Sequence, residues 1–406
     1  MFGLTAHQCF LGVICIFALS YWLLPKKYSW VSFLLTAVLM GVIAYHIEFY
    51  DSDDMSIYFH HLDVFRENGK SGIDYALHEN WFEWRTYKTS LYYFYFISKL
   101  PSNYYLPAIT IFLVYGLGFL ILFKAARRFS CGKLYLFYAA MFFLSTYWYY
   151  DTASGTRNGI TFAMGFACVY QHIVERKHIP LCFAGYILTL FMHSTGILVV
   201  SIGLVAMLTL NSSGKYVNAL LFFGLIMGGG VLRFLSARTE NSFIQSVAGK
   251  AETHGWGESL ETGTMFRVNL TVAALLVLLL IYFSYYLLYS NTEEENYLHR
   301  LYKLSSITLY FVCGAALSGL IFVRFVRFIL PIVGGLIIMV GLQLQREQIG
   351  AKGIKYLKQN PMSSISIRYK LRPLVLLVLF LYTGVHLWYL FAGSSLHWMR
   401  FPEEIL

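Results

Sequence analysis

"PLCFAGYILTLFMHSTGILVVSIGLVAMLTL", residues 180–210, is apolar from end to end but for a short break at His193–Gly196. Basic residues flank it on both sides, "ERK" at 175–177 and "SSGK" at 212–215. Short Lys- and Arg-bearing loops belong on the cytoplasmic side of a membrane. Both flanks therefore lie on one side, and the segment must enter and return. Two full crossings need about 20 residues each, more than this run supplies. Two short crossings or a re-entrant hairpin fit, with "HSTG" as the turn. That turn lies toward the outer side and must be buried in protein, because bare backbone cannot face lipid.

Working outward, the whole chain reads as membrane protein. Of its 406 residues 58% are hydrophobic and 13% charged, against roughly 25% charged in soluble proteins. Spans are expected near 6–24, 29–49, 103–123, 134–150, 157–174, 217–236, 268–290, 304–323, 328–345 and 373–393. Tyr and Phe cluster at span ends, where amphipathic rings prefer to sit. The first run carries no preceding Lys or Arg and no small-residue cleavage pattern, so it reads as a retained span. The fold class is an all-α polytopic integral membrane protein of about 11–12 membrane helices, including the short re-entrant-like helical hairpin near 180–210.

The net charge of +10 is explained by orientation and gives no reason to expect nucleic acid as a partner. The basic stretches "KAARRFSCGK" (124–133) and "REQIGAKGIKYLKQNPMSSISIRYKLR" (346–372) mark the inside. Two long loops, 50–102 and 237–266, then face outward. Residues 1–406 form a single transmembrane domain, with no internal repeat and no Gly-rich phosphate loop. Within 50–102, "WFEWRTYKTSLYYFYFISKLP" (81–101) reads as an aromatic helix lying along the membrane interface. The six cysteines lie in or beside apolar runs without paired spacing and read as small packing residues.

Ionisable groups at membrane depth cost a few kcal/mol, about 3 on the lower scales, so each is a functional candidate. Arg157 stands where an apolar span begins. Ser154 or Thr156 is expected to cap that helix. Its open N–H groups, its positive dipole end and the guanidinium fork together suit a diphosphate. The competing reading is an arginine snorkelling to lipid headgroups. Arg324 and Arg327, three apart in "IFVRFVRFILP", share a helix face; either they anchor at the interface or they share an anion. His193, at the hairpin turn, is either a structural histidine or a base for a sugar hydroxyl. Asp51, Asp53 and Asp54 follow the second span as a solvated edge, a catalytic base or a holder of an acceptor hydroxyl. No second acidic motif pairs with them, which leaves no metal site expected.

Three segments resemble the EpsG/Wzy family of bacterial polysaccharide polymerases: "DSDDMSIYFHHL" (51–62), "SGTRNGITFAMGFACVYQHI" (154–173) and "LTLFMHSTGILVV" (188–200). They look like its early Asp-rich, Tyr-containing motif, its Arg-Xaa-Gly helix start and its His-Ser/Thr turn. "FVRFVRF" (322–328) resembles a later family arginine. Met192 stands where the family often has Phe. The resemblance implies a membrane glycosyltransferase of GT-C-like architecture in the bacterial inner membrane, its active site facing the periplasm or cell exterior. Such enzymes transfer a growing O-antigen, capsule or exopolysaccharide chain from polyprenyl diphosphate to the non-reducing sugar of another lipid-linked repeat unit. It implies His193, Arg157, Asp53 and Asp54 as catalytic residues, and Arg157, Asn158, Arg324, Arg327, Asp51 and Tyr58 as contacts to diphosphate or glycan. No cofactor is expected, the reaction being metal-independent and inverting. The partners implied are the lipid-linked donor and acceptor, the bilayer and a chain-length regulator. A ligase using the same donor, or a flippase for lipid-linked oligosaccharide, is the alternative. A flippase would favour inverted repeats with matching broken helices, and 180–210 has no clear mate.

Overall fold

The computed structural model describes residues 6–51, 53–79, 83–210, 295–314 and 319–359, with the isolated positions 238 and 245. The expected spans at 217–236, 268–290 and 373–393 lie outside the described residues, as does nearly all of loop 237–266. Every element among the described residues is helical. In chain order they are α1 (Ala6–Leu23), α2 (Ser29–Tyr45), α3 (Asp54–Glu79), α4 (Lys88–Ile97), α5 (Tyr105–Arg128), α6 (Lys133–Thr146), α7 (Tyr149–Ser154), α8 (Thr156–Val169), α9 (Ile179–Leu190), α10 (Gly196–Thr209), α11 (Glu295–Gly314), α12 (Gly319–Phe328) and α13 (Leu330–Gln359). A π turn, Tyr170–Glu175, extends α8.

Among the described residues, two stretches are long and apolar enough to cross a membrane, Lys26–Tyr45 and Tyr105–Arg128, while further apolar helices span 10–17 residues. α2 packs along α5, and α5 against α8. Gly41 permits the first of these approaches: a Cβ there would stand 2.9 Å from the Ala108 carbonyl oxygen. Around this centre α1 lies on α2, α9 and α10 lie on α8, and α13 lies on α6. One continuous apolar core joins them, rich in rings such as Phe17, Phe33, Phe119 and Phe143. Leu23, Leu181 and Leu208 turn outward and are largely exposed. Large apolar groups on an outer surface suit a lipid surround.

The hairpin takes the form of two short helices. α9 has 12 residues and α10 has 14, about 18 and 21 Å at 1.5 Å per residue. Each is shorter than the hydrocarbon core of about 30 Å. The turn is Phe191–Thr195, and Gly196 packs directly on the Thr189 carbonyl, where a side chain would collide.

Five expectations change. The helix expected over 134–150 stops at Thr146; Tyr147 and Trp148 are extended, and α7 starts anew. Loop 50–102 is largely helical, and its aromatic helix is confined to Lys88–Ile97. α11 starts at Glu295, before the expected 304, and α13 carries the helix on to Gln359, into the basic stretch. Finally, neither Ser154 nor Thr156 caps α8. Ser154 ends α7, Gly155 is the N-cap, and no side chain bonds the helix start.

Candidate functional site

α8 begins inside the protein. Its second residue, Arg157, is only 5% exposed. Arg157 Nε donates to the Tyr58 hydroxyl at 3.2 Å. Its guanidinium lies 5.6 Å from the ring centres of both Tyr58 and Trp84. Aromatic faces attract a cation, and a desolvated pair of this kind contributes about 2 kcal/mol. This arrangement favours a buried site over an arginine reaching to headgroups.

α3 supplies the facing wall. Asp54, Tyr58 and His61 stand four and three residues apart, which places them along one helical face. Burial pushes the Tyr58 phenol up from its usual range, and the nearby Arg157 charge partly offsets this. His61 is buried edge-on to Trp84 at 5.5 Å. Burial first, then the charges of His60 and Arg157, lowers its pKa to about 4. A neutral imidazole therefore stands beside the cation.

The three aspartates separate. Asp53 Oδ2 accepts the Tyr50 N–H at 3.2 Å and the Tyr150 hydroxyl. Its carboxylate thus ties the α3 start to α7. Asp51 is exposed, and its carbonyl accepts the Ser56 hydroxyl at 2.9 Å. Asp54 is exposed on the first turn of α3, and its charge acts on both Tyr58 and Arg324.

Arg324 and Arg327 lie on α12 and diverge in role. Arg327 Nη1 pairs with Asp151 Oδ1 at 2.8 Å, and its guanidinium sits 4.1 Å over the Trp148 ring. The anion beside Arg327 is thus internal. Burial raises the Asp151 pKa, and Arg327 pulls it back. Arg324 is partly buried near Asp54 and Tyr58, its pKa lowered by burial and then by Arg327. Arg157 bonds the Tyr58 phenol from α8, and the charge of Arg324 on α12 acts on the same phenol.

His193 occupies the hairpin turn and is 6% exposed. Its ring stacks on Tyr87, with centres 6.0 Å apart at 19°. Nδ1 lies 3.0 Å from Thr195 Oγ1 and 3.2 Å from the Thr195 N–H. Thr195 Oγ1 in turn donates to Asn158 Oδ1 at 3.2 Å. Asn158 follows Arg157 on α8, so this bond links the hairpin turn to the buried cation. The short stretch before α4 covers both: Trp84 faces Arg157, and Tyr87 faces His193.

Sequence reasoning missed His61, Trp84, Tyr87, Asp151 and Thr195. The 54/58/61 spacing pointed to His61, and Thr195 lies two residues from His193. Nothing local pointed to the Asp151–Arg327 pair.

Helices throughout the described residues, two of them long and apolar enough to cross a membrane, have the character of a membrane protein. The chain belongs to the EpsG family, whose model matches residues 52–347. That membership indicates a function of polysaccharide-polymerase type. No curated protein and no solved structure matches the chain.

Proposed function

We propose that this chain is a polysaccharide repeat-unit polymerase, multi-pass in the bacterial inner membrane, working on its periplasmic or outer face. It transfers a growing glycan from polyprenyl diphosphate to the non-reducing sugar of another lipid-linked repeat unit. The observation that carries this reading is Arg157, buried among Tyr58 and Trp84 at the start of α8, with the charge of Arg324 acting on the same phenol. Two guanidiniums brought by different helices into electrostatic range of one phenol suit the oxygens of a diphosphate.

The chemistry follows from that placement. A base takes the proton of the acceptor hydroxyl, whose oxygen bonds to the anomeric carbon. The bond from that carbon to the diphosphate oxygen breaks, and polyprenyl diphosphate departs with the electron pair. Arg157 and Arg324 hold the charge that develops on it. A single displacement inverts the anomeric carbon. These cations stand where a divalent metal serves other glycosyltransferases, so the proposed reaction is metal-independent. His193 is the first candidate base and Asp54 the second. Asp53 is occupied with Tyr50 and Tyr150, and Arg327 with Asp151.

The test is direct. Purified protein in lipid receives a synthetic diphosphate-linked repeat unit. A ladder of longer lipid-linked glycans is expected. Transfer to a different acceptor would make the protein a ligase. Passage of the substrate across the bilayer without product would overturn both enzyme readings.

A further inference from the structure

The end of α8 away from Arg157 gathers guanidiniums from three elements. Arg128 closes α5, Arg176 follows the π turn, and Arg300 lies on α11. Tyr297 is their platform. Its hydroxyl bonds Glu175 Oε1 and stands 2.8 Å from the Tyr170 hydroxyl, and its ring meets Phe129 edge-on at 5.1 Å. The Arg128 guanidinium lies 4.8 Å from the centre of this fixed ring, and that of Arg300 lies 5.6 Å from it. Arg300 Nε donates to the Val174 carbonyl at 3.0 Å, an anchor that occupies one N–H of the fork. The charges of Arg176 and Arg128 both act on Arg300. Glu175, the carboxylate in their midst, is committed at Oε1 to the two phenols. Arg176 adds a sign from the backbone. Its φ of 52° is left-handed, where helices ordinarily end on Gly or Asn. A guanidinium is thus carried at a position whose backbone suits glycine.

The surroundings point to the source of the anion. α5 is long and apolar enough to cross a membrane. Its last turn carries Arg127 and Arg128, and in such a span basic residues at the end stand at headgroup level. Beside the π turn the outer surface is apolar. Phe183 meets the His172 ring at 5.2 Å, and both Phe183 and Leu181 of α9 are exposed. We propose that Arg128, Arg176 and Arg300 form a binding site for the phosphate headgroup of an anionic membrane lipid, its acyl chains lying on the apolar flank of α9. Basic pockets between membrane helices take such headgroups. The planar fork matches phosphate oxygens in pairs, and a shared anion relieves the repulsion among the cations. The site lies at the opposite end of α8 from Arg157 and is independent of the transfer reaction.

The experiment needs no glycan substrate. Full-length protein in a neutral detergent is melted with added phosphatidylglycerol, phosphatidylcholine or inorganic phosphate, and native mass spectrometry counts the lipids retained. Phosphatidylglycerol should raise the midpoint of unfolding and stay bound. Phosphatidylcholine, whose own cation balances its phosphate, and inorganic phosphate at the same concentration should do neither. Arg128→Gln and Arg176→Gly should each weaken the apparent affinity about fivefold, the factor for roughly 1 kcal/mol per basic residue. Arg176→Gly also relieves the left-handed backbone, so its midpoint without lipid should be no lower than that of wild type. A lost lipid response in that variant is then not a failure to fold. Lys99→Gln, the control, removes an exposed cation 4.3 Å over the Tyr95 ring and should leave the affinity unchanged. Equal affinity in wild type and both arginine variants would overturn the site and give these cations to acids of the chain itself, such as Glu293–Glu295. An equal loss in Lys99→Gln would reduce the effect to net charge and overturn the site as well. Stabilisation by inorganic phosphate as strong as that by phosphatidylglycerol would overturn the lipid as occupant.

Discussion

The helix that begins at Thr156 ends, through one π turn, at Glu175, and its two ends handle charge differently. At the far end Glu175 Oε1 accepts the hydroxyls of Tyr297 and of Tyr170, the latter at 3.4 Å. Arg300 Nε donates to the Val174 carbonyl at 3.0 Å, and Arg128 lies 4.8 Å over the Tyr297 ring. Lys124 reaches Gln171 Oε1 at 2.7 Å. These bonds tie α5, α8 and α11 together. At the near end Arg157 is buried against the Tyr58 phenol and the Tyr58 and Trp84 rings, and the charge of Arg324 acts on the same phenol. The far end joins helices by answering an acid with hydroxyls. The near end buries a guanidinium among aromatic rings and bonds it to a phenol.

The largest expected effect breaks that contrast at its centre. Arg157→Ala should lower the rate of ladder formation by about 10³, in line with loss of a preorganised charge at a reacting site. Arg157→Lys should recover little, because an ammonium does not reproduce the two-pronged fork. Melting in detergent, followed by tryptophan fluorescence, checks that both variants fold. A wild-type ladder from Arg157→Ala would remove the distinction between the two ends.

Much of the near end was legible because its signals are local. A charged residue at an apolar helix start stands out, and so does a histidine in the break of an apolar run too short for two crossings. The α9–α10 hairpin followed from that length and from the basic flanks. What escaped depends on long-range pairing. Arg324 and Arg327 read alike in sequence, since both are cations three residues apart. Only the fold gives Asp151 to Arg327 and brings Arg324 within electrostatic range of Asp54 and Tyr58. Asp53 and Asp54 are adjacent in the same way, yet one bonds across to Tyr150 and the other remains exposed. The break at Tyr147–Trp148 lies in an unbroken aromatic run, where no Gly or Pro announces it.

The next effect sharpens the division among the acids. Asp54→Asn should lower kcat by about 10², the lower range for loss of a positioned acid or base. Asp53→Asn should act mainly on stability, by about 1 to 2 kcal/mol, because it weakens bonds to Tyr50 and Tyr150. Reversal of the two outcomes would transfer the chemistry to Asp53.

A pH dependence tests the wall facing Arg157. His61 has a pKa of about 4 in the folded protein, against about 6.5 when unfolded. Between these values the unfolded chain takes up a proton that the folded chain refuses. Stability is therefore lost as pH falls from about 6.5 toward about 4, and this component is absent above about pH 7. Thermal melts of wild type and His61→Leu, compared across that range, should differ by an amount that changes with pH below 6.5 and is constant above 7. A constant difference throughout would mean that His61 is not desolvated in the folded protein.

The smallest effect belongs to the far end. Tyr297→Phe deletes the hydroxyl that bonds Glu175 Oε1 and stands 2.8 Å from the Tyr170 hydroxyl. The ring stays, so its contacts with Phe129 and with the Arg128 guanidinium remain. Glu175 then keeps the Tyr170 hydroxyl, which is free to turn fully toward it. The cost should be about 1 to 2 kcal/mol, that of a hydrogen bond to a charged group with partial replacement. The midpoint of unfolding should fall accordingly, while the rate of ladder formation at a temperature where the variant is folded stays within about twofold of wild type, a change of roughly 0.4 kcal/mol in barrier. A rate loss comparable to that of Arg157→Ala would mean that the two ends of α8 act as one device, with the Glu175 cluster setting the position of the helix start.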